Sequence, residues 1–133
     1  MTAFSDVVAA QKEFESLFVD FERIESGDTE YLDSVADYFA KCLTKESMEF
    51  LDEFNWKQHV SAKKLHNYDK QVGEAIDCFT FSLNMLLILG LDAAQIQEYY
   101  FLKNHINWDR QVDEGRATHQ QAETAKSRYL EVH

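Results

Sequence analysis

The stretch "GEAIDCFTFSLNMLLILG", residues 73–90, is almost continuously apolar and predicts the central, buried helix of the fold. Two acids, Glu74 and Asp77, nevertheless lie three residues apart near its start. An ionised carboxylate that is buried without a partner is strongly destabilising. Either these two side chains point to solvent, or a cation compensates their charge.

The length and composition of the chain fit one globular domain over residues 1–133. Hydrophobic residues make up 45% of the chain, which is enough for a core without disulfides or metals as staples. The sequence contains no proline and only four glycines, and strands at regular turn spacing are not visible. The composition therefore predicts an all-α fold, an antiparallel helical bundle.

The charge balance narrows the class of partner. The formal net charge of −11 disfavours binding to a nucleic-acid backbone or to an anionic membrane surface. A polyanionic small molecule stays open if local basic residues or metal ions supply positive charge. The run 81–91 is too short to span a bilayer, and the N-terminus lacks the basic start and long apolar region of a signal peptide. We expect neither a nucleic-acid nor a membrane partner.

The two cysteines, Cys42 and Cys78, lie within apolar patterns and are interpreted as free thiols in the core. Free thiols suit a reducing compartment. We therefore expect a cytoplasmic protein.

Cap and turn signals predict the remaining boundaries of the helices. The first helix is expected from about Phe4 to Ile24, before a turn at 25–28. The later elements are a helix from the Asp28/Thr29 cap to a break or kink near Thr44, a helix over 45–58, a lysine-bearing loop over 60–70, the central helix from Asn67 or Asp69 to Gly90, and a helix over 91–111 capped by Asp92. Residues after about 116 are either a terminal helix that packs on a partner subunit or a frayed tail.

A second acid pair, Glu46 and Glu49 in "ESME", has the same spacing as Glu74 and Asp77. If both pairs lie on facing helices, they form a pocket of four carboxylates. Oxygen-only ligands suit Mg²⁺, or alternatively Mn²⁺, and the lack of a neighbouring metal-ligating histidine argues against zinc. The alternative is a solvated helix face, because a chain with 24 acids contains such pairs by chance.

Basic and amide side chains form a further set of candidates. Lys103, Asn104, Asn107 and Arg110 recur at steps that place them on one helical stripe, where their donors suit phosphate oxygens. The alternative is an ordinary solvated face. Trp56 and Lys57 lie at a helix end that leads into the lysine-bearing loop. Two amides, Gln11 and Asn84, interrupt apolar stripes; they either read the edge of a base or are satisfied core amides.

Three segments together carry a resemblance: "ESMEFLDEFNWK" (46–57), "GEAIDCFTFSLNM" (73–85) and "LGLDAAQIQEYYFLKNHINWDRQ" (89–111). In this order they resemble the all-α nucleoside triphosphate pyrophosphohydrolases, the MazG-like superfamily. They are most similar to the dimeric dUTPase branch, which includes the phage dCTPase–dUTPase enzymes. Those proteins carry a Glu-x-x-Glu, a Trp-Lys, a Glu-x-x-Asp and a Lys-Asn-x-x-Asn-x-x-Arg-Gln stripe. The resemblance covers about residues 44–111.

The resemblance implies a Mg²⁺-dependent hydrolase that converts dUTP and water to dUMP and pyrophosphate, through attack of water on the α-phosphorus. It implies metal ligation by Glu46, Glu49, Glu74 and Asp77, with Glu49 also orienting or deprotonating the water. The implied phosphate-binding residues are Lys57, Lys103, Asn104, Asn107 and Arg110. The implied base and sugar pocket is lined by Gln11, Trp56 and Asn84.

The sequence also departs from the pattern of that family. "VDEGRATH" (112–119) replaces an Asn/Asp-Gly-Tyr motif, His59 replaces a tryptophan, and Thr80 replaces a histidine. These changes leave dCTP or a purine dNTP as alternatives to dUTP. A non-catalytic helical interaction module is the alternative outside enzymes. A homodimer is expected, in the host cytoplasm if the gene is a phage gene, and a tetramer is the alternative. The sequence leaves open whether residues of both subunits form each site.

Overall fold

The computed structural model describes residues 3–57, 59 and 61–129, and this part of the chain consists of helices and connections without a strand. The fold class is therefore all-α, as the composition predicted. The helices are α1 (Phe4–Glu15), α2 (Phe21–Glu25), α3 (Thr29–Asp52), α4 (Tyr68–Ile88), α5 (Ala93–Asp113) and α6 (His119–Ser127).

Helices α3 and α4 form the main pair of the fold and run antiparallel. Val35 of α3 packs with Ile88 at one end of the pair, and Phe39 meets Phe81 with ring centroids 6.2 Å apart. At the other end, Glu46 of α3 lies beside the N-terminal half of α4. Successive turns of α3 thus lie beside successively earlier turns of α4. The two predicted acid pairs therefore lie at the same end of the helix pair.

The apolar run of α4 supplies both parts of the core. Ile88 packs with Val19, Val35 and Phe39, whereas Leu83 and Leu87 pack with Val8 and further residues of α1, α2 and α5. Asn67 caps this helix by accepting from the backbone N–H of Lys70 at 3.1 Å, and Gly90 adopts a φ of +81° just after its end. The prediction of a central helix with these ends is confirmed.

The predicted first helix over 4–24 is wrong, because the chain breaks between α1 and α2. Asp20 caps α2 by accepting from the N–H of Arg23, and its own N–H donates to the Tyr31 hydroxyl at 2.8 Å. The break allows Val19 to enter the core, while Leu17 and Phe18 stay exposed. The apolar stripe predicted through this region is therefore only partly buried.

The predicted break near Thr44 is also wrong, because α3 continues without interruption to Asp52. The hydroxyl of Thr44 donates to the carbonyl of Ala40 at 3.0 Å, which satisfies its polar group inside the helix. The predicted helix over 45–58 is thus the last part of α3, and it ends before Trp56. Gln58 lies outside the described residues.

Helix α5 runs in a different direction from α4. It begins after the Asp92 cap, as predicted, but its axis turns by 104° from that of α4. It packs on α1 and on α6, which is held by an ion pair between Lys126 and Asp109 at 2.8 Å. The predicted terminal segment is thus helical over α6, and residues 130–133 lie outside the described part.

The structure also bears on the predictions for the two cysteines and for membrane-spanning segments. Cys42 and Cys78 are free thiols, as predicted, but they are half-buried and do not belong to the buried core. Within the described ranges, no single helix is long and apolar enough to cross a membrane; only α4 and α5 taken together, across their bend, have the required length and composition.

Candidate functional site

The predicted acid pairs meet between α3 and α4. Carboxylate oxygens of Glu46, Glu74 and Asp77 all lie within 4.8 Å of one another, in an arrangement that could hold a metal ion. Glu49, one turn after Glu46 on α3, lies close enough to the Glu46 carboxyl group to raise its pKa. We call these four residues the acidic cluster. Three of the four predicted acids, Glu46, Glu74 and Asp77, thus meet from facing helices, and Glu49 lies beside Glu46.

Repulsion and burial act together on Glu46. Burial, the hydrogen bond to Glu49 and the nearby charges of Asp77 and Glu74 raise the pKa of Glu46 to about 7. Burial first, and then the same four carboxylates, also raise the pKa of the neighbouring Cys78 thiol. The protein itself therefore leaves the negative charge of the cluster largely uncompensated.

The acidic cluster has unused acceptors. Oε2 of Glu46 and Oε2 of Glu74 are both buried and lack a hydrogen-bond donor, and the structure describes no ion pair between the cluster and a basic residue. Buried carboxylate oxygens without donors are costly. A hard divalent cation such as Mg²⁺ would satisfy them, since it prefers oxygen ligands. The donor set therefore fits the predicted metal.

The segment between α3 and α4 brings cations to the same end of the helix pair. Asn55 pins it by exchanging two hydrogen bonds with the backbone of Lys64, at 2.7 and 3.1 Å. The Lys57 ammonium lies 5.4 Å from the centre of the Trp56 ring, and the Trp56 indole N–H donates to Asp52 at 3.3 Å. Lys63 and Lys64, which the sequence analysis did not select as site residues, line a hollow of about 160 Å³ with Trp56 and Lys57.

A second polar cluster lies between α1 and α4. The side-chain amide of Asn84 donates to Oε1 of Glu15 at 2.9 Å, and Gln11 donates to Oδ1 of Asn84 at 3.0 Å and to Oε1 of Glu15 at 3.4 Å. Asn84 is 1% exposed and Glu15 only 7%. We call these three residues the amide cluster. Gln11 and Asn84 were predicted to share a site, whereas Glu15 was missed, although it follows Gln11 by one helical turn.

The Glu15 side chain also lines an open cavity of about 510 Å³. The other walls are mainly aromatic, with Phe14 and Phe18 from the α1 end, Tyr38 from α3 and Phe81 from α4. Cavities of this size, mostly apolar with a few polar groups such as Glu15 and Ser34, are typical of small-molecule sites. The neighbouring Cys42 thiol raises the pKa of the Tyr38 hydroxyl.

The predicted phosphate stripe does not lie at the acidic cluster. Lys103, Asn104, Asn107 and Arg110 are on α5, and Asn104 and Asn107 line a shallow hollow of about 250 Å³ on that helix. From the helical rise and the bend between α4 and α5, the backbones of Asp77 and Lys103 are about 20 Å apart. In the described part of the chain, no hydrogen bond or ion pair joins the stripe to the acidic cluster.

Comparison with known proteins assigns no relative: the chain matches no family model, no curated protein and no solved structure.

Proposed function

We propose that the protein is a Mg²⁺-dependent deoxynucleoside triphosphate pyrophosphohydrolase of the all-α, MazG-like type. The observation that carries this proposal is the acidic cluster, in which four carboxylates meet and Oε2 of Glu46 and of Glu74 lacks any donor. Such a site favours binding of a cation together with a polyanionic ligand. The resemblance of residues 44–111 supplies the reaction class, and dUTP is the substrate that it favours.

The proposed reaction is hydrolysis at the α-phosphorus. A bond forms from a water oxygen to this phosphorus, the bond to the bridging oxygen of the β-phosphate breaks, and a monophosphate and pyrophosphate leave. Bound Mg²⁺ would neutralise phosphate charge and lower the pKa of the attacking water. Glu46, Glu74 and Asp77 would hold the metal. Glu49, which lies beside Glu46, would orient the water and accept its proton.

The lysine-bearing segment supports a role in binding the triphosphate. Lys57, Lys63 and Lys64 lie between the end of α3, which carries Glu49, and the start of α4, which carries Glu74. In an acidic chain, cations at this end would offset the charge of the β- and γ-phosphates. Trp56 would pack beside them.

We also propose that the protein is a homodimer, in which the α5 stripe of one subunit reaches the acidic cluster of the other. The distance of about 20 Å within one chain supports this arrangement. Apolar side chains about half exposed support it as well, because a dimer would cover them. They are Val72, Ile76 and Phe79 on α4 and Tyr99, Tyr100, Leu102 and Ile106 on α5.

The reaction is tested by incubating the protein with dUTP, dCTP, dTTP, dATP or dGTP, with Mg²⁺, Mn²⁺ or EDTA, and measuring monophosphate and pyrophosphate. We expect metal-dependent release of pyrophosphate from at least one of them. Glu74→Gln should abolish it, whereas Asp69→Asn, which removes a charge from the exposed first turn of the same helix, should not. Turnover of none of the five would contradict the proposal and favour a non-catalytic interaction module.

Sharing of sites between subunits is tested by mixing two inactive variants, Glu74→Gln and Arg110→Ala. In a dimer with shared sites, half of the mixed population is heterodimeric, and each heterodimer holds one intact site. The mixture should then regain about one quarter of the wild-type activity. No recovery, although light scattering shows that subunits exchange, would contradict shared sites.

A further inference from the structure

The cavity beside the amide cluster raises the question of which base the substrate carries. We propose that Glu15 is a specificity-determining residue whose free oxygen accepts a hydrogen bond from the exocyclic amino group of a nucleobase, so that the protein prefers an amino-bearing base over uracil or thymine. This inference rests on the proposed function, because it takes the nucleotide as the ligand. A nucleotide with an amino-bearing base, such as dCTP or dATP, then becomes the expected substrate in place of dUTP, which the resemblance favours.

The two carboxylate oxygens of Glu15 have different hydrogen-bond partners. Oε1 already accepts from Asn84 and from Gln11. Among the described residues, Oε2 receives no hydrogen bond, although the side chain is 7% exposed and lines the cavity. Among the described residues of the cavity lining, Glu15 is the only carboxylate, and it presents one free acceptor from a buried, fixed side chain. The hydroxyl-bearing residues of the lining are Tyr31, Ser34 and Tyr38. Gln11 and Asn84 act as positioning residues, since they hold this carboxyl group from behind.

The cavity lies along the α3–α4 pair at a short distance from the acidic cluster. On α3, Tyr38 of the cavity, Cys42 and Glu46 of the acidic cluster follow one another at single turns. On α4, Phe81 of the cavity lies one turn after Asp77. Two turns of helix span about 11 Å, which is the scale of one nucleoside. A nucleotide whose phosphates lie at the acids therefore reaches the cavity with its base.

The bases differ in the hydrogen-bonding groups that they present to a fixed acceptor. Aromatic walls such as Phe14 and Tyr38 can stack on any base and do not discriminate. A fixed acceptor that faces C4 of a pyrimidine or C6 of a purine discriminates, because cytosine and adenine carry an amine there, whereas uracil, thymine and guanine carry a carbonyl oxygen. The N3–H of uracil and thymine lies at the next ring position, so the proposal places the Glu15 oxygen opposite the exocyclic group. If the carbonyl oxygen of uracil or thymine faced the free Glu15 oxygen, each of the two acceptors would lack a donor. Sites built for a donor reject the ligand that lacks it by large factors.

The decisive experiment compares wild type with Glu15→Gln, using kcat/KM for dCTP, dATP, dUTP and dTTP. We expect wild type to prefer dCTP or dATP over dUTP by about 100-fold, and the two amino-bearing substrates separate cytosine from adenine. The variant keeps an oxygen for Asn84 and Gln11 but presents an amide donor to the cavity, so this preference should fall by about 100-fold. Glu13→Gln, an exposed acid of the same helix, is the matched control and should leave the ratio unchanged.

Binding of products without metal keeps this inference separate from the reaction. Titration of the wild-type protein with dCMP, dAMP, dUMP and dTMP in EDTA, followed by NMR, needs neither catalysis nor a variant. Tighter binding of dCMP or dAMP by about tenfold or more supports the inference even if no triphosphate is turned over. Equal or tighter binding of dUMP, or turnover with dUTP as the best substrate, would overturn it while the proposed reaction stands.

Discussion

The acidic cluster and the amide cluster are both polar groups inside the same helical bundle, but they solve the cost of burial in opposite ways. Around Glu15, amide donors from Gln11 and Asn84 fill the available acceptor positions on one oxygen. Around Glu46 and Glu74, acids face acids and buried oxygens have no donor. The first cluster is compatible with the folded chain by itself. The second is stabilised only by a proton or by a cation from outside.

The largest expected effect is on catalysis at the acidic cluster. Glu46→Gln should lower metal-dependent kcat/KM by about 1000-fold, because it removes a proposed metal ligand. The same change should raise the melting temperature in EDTA, since it removes one charge from a repulsive group. The two measurements are enzyme assays and thermal unfolding with and without Mg²⁺. A variant that loses activity but is also less stable in EDTA would mean that Glu46 stabilises the fold, and would break the comparison.

The amide cluster should show the opposite pattern. Asn84→Ala leaves a small cavity and a buried carboxyl group without its shortest hydrogen bond, and should lower the free energy of unfolding by about 3 kcal/mol. Urea unfolding measures this change. Gln11→Ala is the matched control, because Gln11 is half-buried and its bonds are longer; its cost should be about 1 kcal/mol. If both variants lowered the free energy of unfolding by the same amount, the burial of Asn84 would not contribute to stability.

The pH dependence of stability gives a smaller effect with a definite sign. The pKa of Glu46 in the folded protein, about 7, lies above its ordinary value of 4.5 because of burial and the bond to Glu49. Between these two values the folded state binds more protons than the unfolded state, so the contribution of Glu46 is present below pH 4.5 and lost as the pH rises through 7.

The test of this sign is a comparison of wild type with Glu46→Gln in EDTA, because the acids outside the acidic cluster cancel in the difference. The melting temperature of wild type should fall relative to the variant by on the order of 5 °C between pH 5 and pH 8. Mg²⁺ should stabilise wild type more at pH 8 than at pH 5, since protons compete with the metal. A difference that stays constant across this range would contradict the raised pKa.

The two clusters also differ in how far the sequence predicts them. The acidic pairs are visible because Glu46 and Glu49, like Glu74 and Asp77, share a helix face by spacing alone, and the antiparallel partner of α3 is the longest apolar run. The role of Glu15 is not visible in this way. It is a charged residue among the acids and lysine of "QKEFES", and only the packing of α1 on α4 places Asn84 opposite it.

The fold shows the same division between local and tertiary signals. Caps at Asn67 and Asp92 are local, and both helix starts were predicted from them. The end of α1 was not, because the apolar stripe continues in sequence through Leu17 and Phe18, which are 74% and 70% exposed. Periodicity does not reveal which apolar residues a neighbouring helix will cover. Likewise, the stripe on α5 was found by spacing, but the 104° bend that carries it away from the acids is a tertiary property.

The smallest expected effect comes from an acid that belongs to neither cluster. Asp37 lies on α3, like Glu46, but it is exposed and pairs with Lys41 at 2.9 Å. Water screens such a pair, so Asp37→Asn should change the free energy of unfolding by about 0.5 kcal/mol or less and leave turnover unchanged. The variant removes the same charge from the same helix as Glu46→Gln. If it matched the effect of Glu46→Gln on activity or on stability in EDTA, net charge rather than the meeting of buried carboxylates would explain both, and the distinction between the clusters would have no physical basis.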